Sequence, residues 1–190
     1  AEIAVNLSAA DFADGELAAR VLALLREHAA PATRLLLEVT ESAIMREPQL
    51  AAQVMQQLRT AGVRFAIDDF GTGHSSLAQL HALPVDELKI DRAFVMNLER
   101  SNSNIAIVRT TIELGHGLGL KVVAEGIETP EVWATLLRLG CDLAQGYFIS
   151  RPMAAEAVPA WLRVQGAQLA RAMVTAEQAG TISSLRGRLG

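Results

Sequence analysis

Strand-like and helix-like runs alternate six times along this chain. Short apolar runs fall at residues 3–7, 35–39, 65–67, 87–90, 121–125 and 143–149. Between them the apolar residues take helical spacing, as with Leu17, Val21, Leu24 and Leu25 in a helix predicted over 9–28. Proline and glycine punctuate the rest. A helix broken at Pro48 runs to Thr60 and stops at Gly62, and one over 76–82 closes before Pro84. Asn102 or Ser103 starts a helix over 104–114 that ends among Gly115, Gly117 and Gly119. Thr129 caps a helix with Pro130 in its first turn and Gly140 at its end, and a last helix runs through Trp161. Alternation of this kind builds parallel strands with helices outside them.

Two architectures carry that pattern, a doubly wound sheet and a (β/α)8 barrel. The glycine fingerprint of a dinucleotide-binding sheet is absent, which weakens the first. The polar residues favour the second. Each apolar run ends in one: Asn6, Glu38, the pair Asp68 and Asp69, Lys89, Glu125 and Gln145. In parallel strands those ends share one rim, where barrel enzymes place their chemistry. A closed barrel needs eight strands and six are read here. Two βα units are therefore expected before Ala1, and the chain reads as a piece of a longer one. Residues 1–165 are expected to form this partial domain, with a C-terminal helix and mobile tail over 166–190.

The stretch from Arg64 to Leu77 holds the densest chemistry. An apolar strand enters two adjacent carboxylates, then the glycine-spaced loop Phe70-Gly71-Thr72-Gly73-His74, then Ser75 and Ser76 as caps for the next helix. A buried strand ending in two acids needs each charge paired or metal-bound, and the glycines let backbone turn tightly or approach a ligand. Glu38, Asp68, Asp69 and Glu125 converge on the rim, Glu41 and Glu128 stand close behind, and Lys89 is the only cation among them. Oxygen ligands without histidine suit Mg²⁺ or Mn²⁺ rather than zinc. Two such ions could activate a water and stabilise the leaving oxygen of a phosphodiester. Taken singly, each residue has a structural role open to it. Lys89 could be an ion-pair partner, Asn6 a helix cap, Gln145 a partner for buried backbone, and either Asp a turn residue.

The balance of the chain narrows the class. The net charge of −4 over 190 residues argues against a non-specific nucleic-acid binder. A single Cys141 rules out an internal disulfide and points to a reducing, cytoplasmic compartment. No run of 18 apolar residues spans a membrane, so any membrane anchor is expected in a region before Ala1.

The motifs Val5-Asn6-Leu7-Ser8, Leu37-Glu38-Val39-Thr40-Glu41-Ser42, Asp68-Asp69-Phe70-Gly71-Thr72-Gly73, Lys89-Ile90-Asp91, Ala124-Glu125-Gly126-Ile127-Glu128-Thr129 and Gln145-Gly146-Tyr147 occur in this order. Together they closely resemble the EAL-domain family of cyclic di-GMP phosphodiesterases, over about residues 3–164. The resemblance implies a (β/α)8 barrel that hydrolyses the bacterial second messenger cyclic di-GMP to linear pGpG with Mg²⁺ or Mn²⁺ and is inhibited by Ca²⁺. It implies that Asn6, Glu38, Asp68 and Asp69 are metal ligands, Lys89 the catalytic lysine, and Glu125 a ligand or general base. Glu41 would hold the Asp-Asp-Phe-Gly loop, with Phe70 and Gly71 in it, and couple it to a dimer interface. Asp91, Glu128 and Gln145 would support the site. His74 stands where the family often has tyrosine. The Glu-Ala-Leu-x-Arg motif, which supplies a metal ligand and a phosphate-binding Arg, is expected upstream of Ala1. The family usually follows sensory, receiver or diguanylate-cyclase modules and acts as a homodimer in signal transduction. The chain alone is expected to be inactive and prone to associate through its two open edges. A degenerate upstream motif would leave a non-catalytic cyclic di-GMP sensor or protein-interaction domain instead.

Overall fold

The computed structural model describes residues 2–71, 80, 82–98 and 101–166. Six strands form one sheet: β1 (Ile3–Leu7), β2 (Leu35–Thr40), β3 (Arg64–Phe70), β4 (Glu87–Ile90), β5 (Lys121–Ala124) and β6 (Leu143–Ala144). All neighbouring pairs are parallel and their order in space is their order in sequence. A doubly wound sheet reverses its strand order at a switch point. None occurs among the described residues, and the sheet is an incomplete (β/α)8 barrel. The described helices are α1 (Ala9–Phe12), α2 (Leu17–Glu27), α3 (Glu41–Arg46), α4 (Pro48–Thr60), α5 (Arg92–Val95), α6 (Asn102–Gly117), α7 (Pro130–Leu139) and α8 (Val158–Trp161).

Most apolar burial is on one side, with Leu36, Ala66 and Val123 the buried exceptions on the other. Leu37 and Val39 of β2 and Phe65 and Ile67 of β3 pack with Ile44, Met55 and Leu58 of the helices. Ile90, Val122 and Ala124 pack with Val108, Ile112 and Leu136. Successive strand residues face opposite ways. The alternate residues therefore face the barrel lumen: Glu38 on β2, Arg64 and Asp68 on β3, Glu87 and Lys89 on β4. Hydrogen-bonded register places Asn6 opposite Glu38, Glu38 opposite Ala66, and Ala66 opposite Glu87. Charge on the inside and hydrocarbon on the outside fix where chemistry can occur.

At the amino-terminal rim two aspartates repeat one device. Asp86, just before β4, accepts from Phe65 N–H and donates its own N–H to Phe65 C=O. Asp142, just before β6, does both with Val122. Each carboxylate also meets a side chain from the helix that leads into that neighbouring strand, Arg59 at 3.4 Å and His116 at 2.8 Å. Strand entry, neighbouring strand and helix end are thereby tied at one residue.

Several expectations change. The helix predicted over 9–28 is two helices, parted around Asp14 and Gly15; Asp14 turns the chain by accepting from Glu16 N–H at 2.9 Å. Asp91 caps an unpredicted short helix, α5, accepting from Ala93 N–H at 2.7 Å. The sixth strand keeps two residues rather than seven. Beyond Ala144 the chain turns, with Ile149 N–H and Ser150 N–H both on Gly146 C=O. Most of the helix predicted over 76–82, the loop residues Thr72 to Ser76, and residues 167–190 lie outside the described residues.

Candidate metal centre

Adjacent strand residues point to opposite faces, so Asp68 and Asp69 should not share a site. The backbone resolves this. Pairing of β3 with β4 shifts register between Ile67 and Phe70, and Asp69 takes the left-handed conformation, with φ +55°. Aspartate tolerates that region better than most residues, and such strain gathers at functional sites. The result is that one oxygen each from Asp68, Asp69 and Glu125 lie within 4.8 Å of one another. Asp69 N–H also donates to Asp68 Oδ1 at 3.0 Å.

Lys89 rises into this group from the lumen face of β4. Its Nζ lies 2.8 Å from Glu38, 3.2 Å from Asp68 and 2.5 Å from Glu125. The residue is only 3% exposed. Burial works against its charge, but hydrogen bonds to Glu125 and Glu38 outweigh it and hold its pKa above the usual lysine value. Burial pushes the Glu125 pKa up, opposed by Lys89. Asp69 is also raised, by burial first, then by a hydrogen bond with Asp91 and the nearby Asp68 charge. One ammonium among four carboxylates leaves the rim strongly negative. An all-oxygen donor set with surplus negative charge fits a hard divalent cation.

The other expected residues distribute as follows. Asn6 stands exposed on β1 opposite Glu38. Glu38 joins through Lys89, outside the three-oxygen group. Glu41 is buried at the first turn of α3, behind Thr40, whose hydroxyl accepts from Ala43 N–H. Phe70 ends β3 against the larger apolar cluster. Gly71 follows it with positive φ, against the Phe94 ring. Glu128 and Gln145 are exposed in loops laced by Ile127 N–H to Gln145 C=O at 3.1 Å and Phe148 N–H to Ile127 C=O at 2.9 Å. A Cβ on Gly146 would overlap the Ile127 carbonyl oxygen, so this lacing requires glycine. Sequence reading missed Arg64 and Glu87, which lie below Lys89 in the lumen. The signal was present, since Glu87 and Lys89 alternate with Leu88 and Ile90.

Comparison with known proteins agrees with this geometry. A family model described as EAL domain matches residues 1–152. The chain is 47% identical over 154 residues to the bifunctional diguanylate cyclase/cyclic di-GMP phosphodiesterase MucR of Pseudomonas aeruginosa, covering 81% of this chain and 22% of that protein. It superposes on the MucR phosphodiesterase in complex with c-di-GMP with TM-score 0.80 and 46% identity, covering 83% of this chain and 64% of that one. The Klebsiella pneumoniae BlrP1 complexes of cyclic di-GMP with calcium or with manganese match at TM-score 0.74 and 34% identity, over 80% of this chain and 39% of that one. The chain spans about a fifth of the length of the curated relatives it matches.

Proposed function

Because this chain belongs to the EAL domain family, we propose that it is the larger part of a cyclic di-GMP phosphodiesterase domain that yields linear pGpG. One observation carries the reading. Three carboxylates from β3 and the end of β5 converge to within 4.8 Å on the rim of a parallel barrel, with a buried lysine among them. Manganese and calcium in the BlrP1 complexes support a divalent ion here.

Asp68, Asp69 and Glu125 would hold that ion, with Glu38 and Asn6 beside them. When bound, it would polarise the phosphodiester and lower the pKa of the attacking water. The chain supplies the rest. Lys89 stays protonated across the working pH range, so it donates to a phosphoryl oxygen or to the water and does not act as a base. Glu125 would serve either as a ligand or as the general base that takes the proton of the attacking water. The water oxygen bonds to phosphorus as its proton passes to the base, the P–O3′ bond breaks, and the ribose O3′ leaves and takes a proton from solvent water. Asp91 shares a hydrogen bond with Asp69, and Glu41 stands buried at the first turn of α3. Further modules, a homodimer and the choice between Mg²⁺ and Mn²⁺ belong to the same proposal.

The test is pGpG formation from cyclic di-GMP by the full-length protein, followed by chromatography in Mn²⁺, Mg²⁺, Ca²⁺ and EDTA. Turnover in Mn²⁺ or Mg²⁺ that EDTA abolishes supports the reading. Tight binding without turnover in any of these ions overturns it in favour of a sensor.

A further inference from the structure

Beneath the metal centre the lumen holds a second charged tier. Glu87 precedes Lys89 by two residues on β4, so their side chains leave the same face about 7 Å apart. That is within reach of a lysine stem. Glu87 is 4% exposed and buried in the lumen wall. Lys89 therefore has a fourth carboxylate two residues away on its own face of the strand. It nonetheless pairs upward, with Glu38, Asp68 and Glu125.

Arg64 accounts for that choice. From the lumen face of β3 its Nη1 lies 3.6 Å from Glu87, and its Nη2 pairs with Glu2, just before β1. Its Nε is buried and has no hydrogen-bond partner. A guanidinium that leaves one buried donor unmet is poorly explained by hydrogen bonding alone. What it supplies is charge. Lys121 stands opposite Glu87 in register and also favours its charge, but it is exposed and ranks behind Arg64.

We infer that Arg64 is a positioning residue: by neutralising Glu87 it leaves the Lys89 ammonium to the rim carboxylates and keeps it aimed at substrate. The inference rests on the phosphodiesterase reading given above. Without Arg64, Glu87 competes for Lys89 and draws it down. The rim then loses its resident cation and becomes more negative. Metal binding tightens while turnover falls. A residue that merely supported the fold would weaken both.

The experiment compares Arg64→Gln, Arg64→Lys, Glu87→Gln and the double Arg64→Gln/Glu87→Gln in the full-length protein. Mn²⁺ affinity is read by calorimetry with metal alone, and pGpG formation is read separately. Arg64→Gln should bind Mn²⁺ several-fold tighter and turn over about tenfold more slowly, as expected for one displaced charge. Adding Glu87→Gln should recover both values, and Arg64→Lys should stay close to the unsubstituted protein. Parallel losses in both readouts, no recovery in the double variant, or unchanged values in Arg64→Gln each overturn the inference. If Arg64→Gln does not fold, a defective Arg64→Lys would overturn it, because that variant keeps the charge. Should the unsubstituted protein show no hydrolysis, the phosphodiesterase reading fails, and the Mn²⁺ arm still decides where Lys89 points.

Discussion

Lys89 is the residue on which the rim's charge balance turns. Replacing it with methionine leaves Glu38, Asp68 and Glu125 without their ammonium. Breaking a buried pair from one side destabilises by about 3–5 kcal/mol. Lys89→Met should therefore lower the urea midpoint in EDTA, recover much of it in Mn²⁺, and form pGpG at least about a hundredfold more slowly. A variant with unchanged turnover would remove Lys89 from the mechanism. The carboxylates give a pH prediction. Asp69 and Glu125 hold their protons to higher pH than ordinary carboxylates. The metal-free folded state thus binds protons more tightly than the unfolded chain, and their ionisation subtracts stability as pH rises through the raised values. A divalent ion needs both ionised, so its affinity should fall as pH drops through that window, with protons released on binding. Mn²⁺ calorimetry between pH 5 and 8 in buffers of different ionisation enthalpy checks this, and a flat profile would contradict it. Most of these residues were legible, because a parallel strand advertises its carboxyl end by the polar residue that stops its apolar run. How Asp68 and Asp69 share a site was not, since it depends on a register slip and a left-handed φ that no spacing records.

At the scale of elements, two glycines mark close packing of different kinds. At Gly146 the obstacle is backbone, because Ile127 oxygen and nitrogen occupy the space a methyl group would need. At Gly115, in α6, it is a side chain, the Cγ2 methyl of Val122. Gly146→Ala should lower stability by about 3 kcal/mol, with no single neighbour whose trimming restores it. Gly115→Ala should cost about 1–3 kcal/mol alone, yet nothing further when Val122 is already alanine. Thermal melts of the single and double variants distinguish the cases; additive losses at Gly115 and Val122 would refute the second. The aspartate ties are equally specific. Asp86→Ala strands the Phe65 N–H and frees Arg59, a loss of about 1–3 kcal/mol. Strand and helix types were readable from periodicity. The short sixth strand was not, because Tyr147, Phe148 and Ile149 are as apolar as a strand but are turned by contacts with the preceding loop. Asp14-Gly15 did carry a turn signal that a long helical reading overrode.

Across the molecule, β1 and β6 each pair on one side only among the described residues. Ile3 and Val5 are 64% and 44% exposed. Unpaired parallel edges recruit other chains, so the 190-residue polypeptide should self-associate with rising concentration. A monodisperse monomer by sedimentation across the micromolar range would contradict this. The barrel class itself was legible from six alternations with polar run ends. The paired lumen tiers went unread, although Glu87 and Lys89 alternate with Leu88 and Ile90 in a run taken as apolar. Those tiers separate two kinds of mutation. Most of the oily layer that makes the protein fold lies between sheet and helices, while the charges that do its chemistry line the opposite face of the same strands. Selection can therefore retune ion preference or turnover through lumen positions without repacking the hydrocarbon, and can adjust thermal endurance through the helices without disturbing the reacting groups.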